Sequence, residues 1–283
     1  MIILYPFIIA FIITALLTPL SLVVIKKMGL VDDPKLHKHP AMLHKKPTPR
    51  GGGIPLFIGI VITSIFFLPL TKAVIALFVA GSIALLIGVI DDKYDISPYL
   101  RFLANIAAAL IVVTAGITVP FITNPFGGIL YLNSIILPID FLGLHLSIAL
   151  SDVVAVLWII WVMNMLNWSK GVDGQMPGIV AISAVTIGLL SLRFAGSDSF
   201  SRVSVDLSFI IAGASLGFLI FNFHPAKIFP GYGATAVYLL LSAVSILSGA
   251  KLATAILVMG VPMIDGLFTI LRRLGARRSP FWH

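Results

Sequence analysis

The chain has 283 residues, of which 59% are hydrophobic and 11% are charged, as 19 Lys or Arg and 11 acids that are all Asp. A soluble domain is roughly 45–50% apolar and about 25% charged, and no domain of this size could bury so much apolar surface. A soluble globular protein is therefore excluded. The absence of cysteine also excludes disulfide scaffolds and thiolate metal sites.

Long apolar runs dominate the chain, and a helix needs about 20 such residues to cross a bilayer. The sequence predicts an all-α polytopic membrane protein with nine transmembrane helices, in one integral membrane domain over residues 1–283. Between the fourth and fifth spans, Gly127-Gly128 and the β-rich stretch around Ile129 predict a short external hairpin. The predicted spans lie near residues 2–25, 52–70, 72–90, 102–120, 150–167, 176–192, 206–222, 233–249 and 251–270.

Basic residues concentrate on alternate connections. The first connection carries seven Lys or Arg, so the positive-inside rule predicts a cytoplasmic loop there and an N-terminus outside. Carried through nine spans, this orientation places 15 of the 19 basic residues, and the C-terminus, on the cytoplasmic side. Membrane lipid is an expected partner of these bases. Nucleic acid is not, because no basic run is interleaved with aromatic residues.

The first cytoplasmic connection combines bases, prolines and glycines from His44 to Gly53. One interpretation is an irregular connector rich in Pro and Gly. The other is an ordered cationic lid over a polyanionic substrate, in which Arg50 offers a two-pronged contact to phosphate. His44 could equally be a solvated loop histidine.

Two adjacent carboxylates, Asp91 and Asp92, end the third span. Such a pair is repulsive unless a cation or a base compensates, and Mg²⁺ takes hard oxygen ligands while leaving positions for substrate phosphates. A solvated helix end is the alternative explanation. Asn164 and Asn167 end the fifth span on one helical face, where their amide oxygens could bind a metal or a sugar.

Further polar groups follow at the same predicted face. Gly171 and Gly174 flank Asp173 and would let backbone N–H groups approach a phosphate, although two glycines are also a plain helix stop. His224 and Tyr232 lie in a later loop predicted to be cytoplasmic. Polar groups at membrane helices are expensive, so their gathering at one face indicates a functional site.

Taken in order, these segments resemble the polyprenyl-phosphate N-acetylhexosamine-1-phosphate transferases. The resemblance runs nearly end to end, and its form is closer to the branch that uses UDP-GlcNAc than to the branch that uses UDP-MurNAc-pentapeptide. It rests on six segments: Asp33-Pro34 with 44–53; 88–92 with Ser97-Pro98 and Arg101; 164–174; 217–227; 261–265; and 277–281.

The resemblance implies a phosphotransferase of the bacterial cytoplasmic (inner) membrane, active at the cytoplasmic face in cell-wall or envelope polysaccharide synthesis. It implies transfer of N-acetylhexosamine-1-phosphate from a UDP-N-acetylhexosamine to undecaprenyl phosphate with release of UMP. The implied cofactor is Mg²⁺ (or Mn²⁺), and a homodimer is left open. We expect catalytic roles for Asp91, Asp92 and Asp173, metal binding by Asp92 and Asn167, and substrate binding by His44, Arg50, Arg101, Asn164, Lys170 and Lys227.

The chain departs from the family pattern at three points. Lys170 stands where the family usually has an acid, and Tyr232 stands where it has a magnesium-binding Asp. The family's His-rich motif and tenth span would follow Phe281, so we expect either a C-terminally truncated sequence or a protein that works without them. Lys170 could partly replace the metal's charge.

Two alternatives belong to other classes of protein. One is a catalytically degenerate paralogue that binds nucleotide-sugar or lipid phosphate, or scaffolds an envelope-polymer complex. The other is a small-solute transporter, which is weaker because transporter sites lie near the bilayer midplane and these groups gather at one face.

Overall fold

The structure is a computed structural model that describes residues 4–33, 47–124, 127–141, 144–194, 199–248 and 252–278. Apolar helices make up most of this part of the chain, as the composition predicts. The helices are α1 (Leu4–Lys27), α2 (Gly53–Phe67), α3 (Lys72–Tyr94), α4 (Pro98–Thr114), α5 (Leu150–Trp168), α6 (Gln175–Ser191), α7 (Ser199–Asn222), α8 (Thr235–Leu247), α9 (Leu252–Val258) and α10 (Gly260–Gly275).

Six short strands form three antiparallel pairs within the connections. The predicted hairpin around Ile129 is present, and a second, longer hairpin follows it before α5. The pairs are β1 (Val31–Asp32) with β2 (Thr48–Pro49), β3 (Phe121–Thr123) with β4 (Ile129–Tyr131), and β5 (Ile136–Phe141) with β6 (Leu144–Ala149).

Helices α7 and α8 form the centre of the bundle. Nearly every side chain of α8 is buried, and α3, α5 and α7 pack against it. Helices α1 and α6 pack in turn against α7. Serine hydroxyls join these helices, since Ser191 Oγ lies 3.1 Å from Ser204 Oγ, and Ser204 Oγ donates to the carbonyl of Val244 at 3.0 Å. Such small polar contacts are typical of helices that pack inside a membrane.

The outer helices expose large apolar side chains where a water-soluble protein would carry charge. Leu16 and Leu20 of α1, and Leu86 of α3, are each more than half exposed. Among the described helices, α1, α3, α5 and α7 are long and apolar enough to cross a bilayer, while α2, α4, α6 and α8 are shorter apolar helices. A polytopic membrane protein accounts for this surface, whereas nine spans and their orientation stay predictions.

The last predicted span, 251–270, is not one straight helix. The chain breaks between α9 and α10, whose axes differ by 83°. Pro262 lies in the first turn of α10, where it removes a backbone donor and would clash with the carbonyl four residues earlier if the helix ran straight. The apolar run predicted one span because hydropathy alone does not report such a break.

Candidate active site

The site is built around a 3₁₀ turn, Tyr232–Ala234, that leads into α8. Helices α2 and α3 both pack against this turn. A Cβ atom added to Gly53 of α2 or to Gly88 of α3 would overlap the backbone of Gly233. These two glycines therefore allow both helices to approach the turn closely, and the approach brings the acids at the end of α3 against it.

Asp92 joins α3 to this turn. Its carboxylate accepts hydrogen bonds from the backbone N–H of Tyr232, with N···O distances of 2.8 and 3.0 Å, and from that of Gly233 at 3.4 Å. Arg50 Nε lies 2.8 Å from Asp92 Oδ1. Both oxygens are thus engaged by donors from two other parts of the chain.

Asp91 faces α4 and is almost fully buried. Its Oδ2 lies 3.2 Å from Arg101 Nη1, while its Oδ1 is buried and has no hydrogen-bond partner among the described residues. A buried acceptor without a partner is costly and is often satisfied by a ligand or an ion. Asp91 therefore keeps one free acceptor inside the site.

Tyr232 forms the floor of the site and is 5% exposed. Asn105 Nδ2 lies 3.2 Å from its hydroxyl, and Arg101 lies 5.4 Å from the centre of its ring. Burial raises the pKa of Tyr232, although Asn105 and Arg101 oppose the rise. The phenol consequently stays neutral at physiological pH.

Lys170 lies in the loop after α5, and its side chain contacts the turn at Tyr232. Its Nζ donates to the carbonyl of Gly231 at 2.8 Å and lies 5.7 Å from the centre of the Tyr232 ring. Burial and the nearby Arg50 lower the pKa of Lys170 to about 7, against the opposing pull of Asp92 and Asp91. Among the described residues no carboxylate lies within salt-bridge distance of it. An anion facing Lys170 would therefore restore its full charge.

The connection between α1 and α2 docks on the loop between α7 and the Tyr232 turn. The N–H groups of Gly51 and Gly52 donate to the carbonyl of Phe229 at 3.2 and 2.9 Å, and that of Gly53 donates to Pro230 at 2.8 Å. Of the two interpretations of this connection, its described part, from residue 47 onward, fits the ordered one. The docking fixes the backbone that carries Arg50.

A second contact group lies beside the charged cluster. Asp173 Oδ2 accepts from the backbone N–H of Ala226 at 3.0 Å and lies 3.0 Å from His224 Nδ1. Asn222, at the end of α7, accepts from the N–H of Gly174 at 3.1 Å and donates to the carbonyl of Ile228 at 2.8 Å. These contacts tie the loop after α5 to the loop after α7.

The predicted site residues thus separate into groups. Arg50, Asp91, Asp92, Arg101 and Lys170 come together around the turn. Asp173 belongs to the neighbouring group, and the side chains of Asn164, Asn167 and Lys227 make no hydrogen bond or ion pair with the cluster among the described residues. Asn167 Oδ1 is buried without a partner, Asn164 Nδ2 donates back to Ile160 of its own helix at 2.8 Å, Lys227 is exposed, and His44 lies outside the described residues.

The predicted Mg²⁺ or Mn²⁺ would need about six oxygen ligands in near-octahedral geometry, as hard cations of this kind do. Asp92 is already engaged by three N–H donors and Asp91 by Arg101. Among the described residues, the buried oxygens left without a partner in this region are Asp91 Oδ1, Asn167 Oδ1 and the Ser169 hydroxyl, and only the first is a carboxylate oxygen. Within the described ranges no three His or Asp side chains are close enough to share a cation. This donor set does not fit a divalent cation.

Asn105 contributes to the site and was not identified from the sequence. It lies four residues after Arg101, on the same face of α4, and it is 2% exposed. An amide in the middle of an apolar helix was the available signal. Asn222 was included in a matching segment, but its bridging role was not foreseen.

Replacing Asn222 by alanine is expected to lower the free energy of unfolding by about 1–3 kcal/mol, because it leaves the Ile228 carbonyl and the Gly174 N–H without partners. The exposed Asn133, changed to alanine, is the matched control and should have no such effect. Thermal unfolding of the two purified variants in detergent measures the difference. Equal midpoints would contradict the bridging role.

Comparison with known proteins identifies the family. A model of glycosyl transferase family 4 matches residues 74–249. The chain is 31% identical over 282 residues to a probable undecaprenyl-phosphate N-acetylglucosaminyl 1-phosphate transferase of Bacillus subtilis, covering 95% of this chain and 71% of the relative. It is 34% identical over 270 residues to the decaprenyl-phosphate N-acetylglucosaminephosphotransferase of Mycobacterium tuberculosis, covering 84% and 64%.

A more distant relative represents the other branch. The phospho-N-acetylmuramoyl-pentapeptide-transferase of Staphylococcus carnosus is 28% identical over 259 residues, covering 87% of this chain and 76% of the relative. The chain therefore spans between 64% and 76% of the length of these three proteins. The predicted family and enzyme class are confirmed: the chain belongs to glycosyl transferase family 4, whose members among these relatives are transferases of sugar phosphates.

Proposed function

We propose that the protein transfers N-acetylhexosamine-1-phosphate from a UDP-sugar, with UDP-GlcNAc as the first candidate, to undecaprenyl phosphate. The product would be a lipid-diphosphate sugar that supplies cell-wall or envelope polysaccharide synthesis. Membership in glycosyl transferase family 4 supports the reaction class. The activities for which the Bacillus and Mycobacterium relatives are named support a polyprenyl phosphate acceptor and an N-acetylglucosamine donor.

One observation carries this proposal: three cationic side chains meet two carboxylates at one end of an apolar helical bundle. Arg50, Arg101 and Lys170 come from three different segments and lie around Tyr232 and Asp92. The reaction must bring a lipid phosphate against a diphosphate, so repulsion between anions is its main obstacle. Positioned cations that face the phosphoryl oxygens offset this repulsion.

The bond changes follow from the substrates. An oxygen of the lipid phosphate attacks the β-phosphorus of the UDP-sugar, a new P–O bond forms, and the bond between the β-phosphorus and the bridging oxygen breaks. The bridging oxygen leaves with the α-phosphate as UMP. The free Oδ1 of Asp91 would accept the proton of a monoprotonated lipid phosphate, while Arg50, Arg101 and Lys170 hold the phosphates in line.

Asp173 would position the nucleotide-sugar side without joining the charged cluster. Its carboxylate is held by Ala226 and His224, so it fixes the loop on which Lys170 lies. The family is generally Mg²⁺-dependent, whereas the donor set described above does not fit that ion.

The test is transfer by membranes that contain the full chain. We expect UDP-GlcNAc with a radiolabelled sugar and undecaprenyl phosphate to give a chloroform-soluble labelled lipid, together with UMP in equal amount. Parallel reactions with Mg²⁺, Mn²⁺ and EDTA show whether transfer requires a metal ion, which is a separate question from whether transfer occurs. Membranes from cells without the gene provide the background, and no labelled lipid with any UDP-sugar would contradict the proposal.

A second candidate function is binding without transfer. The observation in its favour is that Lys170 and Tyr232 occupy two positions where the family pattern has acids. Such a protein would bind nucleotide-sugar or lipid phosphate but would form neither lipid-diphosphate sugar nor UMP. Several turnovers per molecule of protein would exclude it, and UDP-sugar binding without product would support it.

A further inference from the structure

We propose that the ammonium group of Lys170, rather than a divalent cation, faces the diphosphate of the nucleotide substrate, so that the protein binds this diphosphate without metal. The inference rests on the proposed function and describes how the same site would hold its donor. It departs from the metal dependence that the sequence predicts. Four features of the site support it.

The first feature is Asp92, whose carboxylate has no capacity left for a metal. Its two oxygens accept from two backbone N–H groups and from Arg50. A metal at this carboxylate would displace donors that also fix the turn at Tyr232. The structure therefore uses Asp92 to hold the site together.

The second feature is the surplus of positive charge. Asp91 and Asp92 are paired with Arg101 and Arg50, which leaves Lys170 as a third cation with no carboxylate within salt-bridge distance among the described residues. With Lys170 charged, the three bases exceed the two carboxylates by one positive charge, so a divalent cation beside this cluster would meet a net repulsion. A diphosphate would be attracted by the same charges.

The third feature is the way Lys170 is held. The Gly231 carbonyl takes one of its three N–H donors, and the Tyr232 ring lies beside the ammonium. Because Lys170 is half-buried, its other donors can meet a ligand. A compact ammonium with free donors is a suitable partner for phosphate oxygens.

The fourth feature is Tyr232, whose side chain closes the floor of the site. Its hydroxyl is held by Asn105, and its ring lies beside both Arg101 and Lys170. A neutral ring supplies no anionic oxygen to a metal, and it stabilises cations placed beside it. Compared with the two acids that the family pattern has at these positions, Tyr232 and Lys170 together give the site less negative and more positive charge.

The first experiment measures UDP binding to the purified full chain in detergent, by titration calorimetry, without lipid substrate. We expect the same Kd in EDTA and in Mg²⁺. Lys170→Met should weaken binding about tenfold or more, since a hydrogen bond to a charged group is lost, whereas Lys170→Arg should retain it. The matched control is Lys72→Met, at the opposite end of α3.

Three outcomes would overturn the inference. These are UDP binding that is lost in EDTA and restored by Mg²⁺, binding by Lys170→Met that equals the unaltered chain, and no UDP binding in either buffer. Unfolding midpoints of each variant show whether a loss of binding is a loss of fold.

The second experiment measures Mn²⁺ uptake from the signal of free Mn²⁺ in electron paramagnetic resonance. The unaltered chain should take up no Mn²⁺ at millimolar concentration, and the variant carrying Lys170→Asp with Tyr232→Asp should bind it. Stoichiometric uptake by the unaltered chain would overturn the inference. A folded double variant that binds no Mn²⁺ would overturn the assignment of metal exclusion to these two residues.

Neither measurement depends on turnover. A chain that binds UDP in EDTA but transfers no sugar phosphate overturns the proposed function and leaves this inference standing. A chain that transfers sugar phosphate but binds UDP only with Mg²⁺ overturns this inference and leaves the proposed function standing.

Discussion

Replacing Asp92 by asparagine is expected to reduce transfer by about 10²-fold or more, as does the loss of a preorganised charged contact in other enzymes. An amide has a single acceptor oxygen and an NH₂ group that only donates, so it cannot accept from the N–H groups of Tyr232 and Gly233 and also pair with Arg50. Arg50 loses its partner, and the turn loses its link to α3. Transfer assays and UDP binding on the same preparation measure the effect.

The structure also changes the expected effect of this variant on stability. From the sequence, Asp92 is a catalytic and metal-binding acid whose replacement leaves the fold intact. Its buried contacts instead predict a lower unfolding temperature together with weaker UDP binding. Transfer at the wild-type rate would contradict this role.

Asp95→Asn is the matched control for this change. Asp95 is exposed, three residues further along, and caps α3 in the left-handed region with φ of 46°. Asparagine adopts that region readily, so this variant should keep both its stability and its transfer activity. Loss of transfer in the control would show that any removal of charge near the end of α3 is harmful.

Much of the candidate site was predictable because polar residues in apolar helices have few structural explanations. Asp91, Asp92, Arg101 and Lys170 were each singled out from the sequence, and the structure places them with Arg50 around one turn. Their order along the chain also carried the family resemblance. Nine apolar runs predicted a helical membrane protein, and the fold agrees with that class.

The contacts that organise the site were not predictable, because several are made by backbone atoms. Asp92 binds N–H groups 140 and 141 residues away, and no side-chain pattern reports them. Asp173 pairs with His224 across two loops, a contact between residues 51 positions apart that no local pattern reports. The break before α10 was missed for a related reason, since hydropathy averages over Pro262.

The departures at Lys170 and Tyr232 are best understood together. With an acid in place of Tyr232, three bases would meet three carboxylates, and with an acid in place of Lys170, two arginines would meet three carboxylates. Together they exchange two acids of the family pattern for a base and a neutral ring that lie in contact with each other. The cluster thereby has two fewer negative charges and one more positive charge than the family pattern, which is consistent with a site that still receives phosphates.

Replacing Gly88 by alanine is expected to lower the free energy of unfolding by about 1–3 kcal/mol and to reduce transfer about as strongly as the Asp92 change does. The added methyl group would overlap the backbone of Gly233, so α3 and the turn must separate. Since Gly88 lies one helical turn before Asp92, this separation would lengthen the hydrogen bonds from Asp92 to Tyr232 and Gly233. Gly178→Ala in α6, where an added Cβ meets nothing within 4 Å, is the control and should raise stability slightly. The measurements are the thermal unfolding midpoints and the transfer rates of both variants. A Gly88 variant as stable and active as the unaltered chain would show that close packing against the turn is not required.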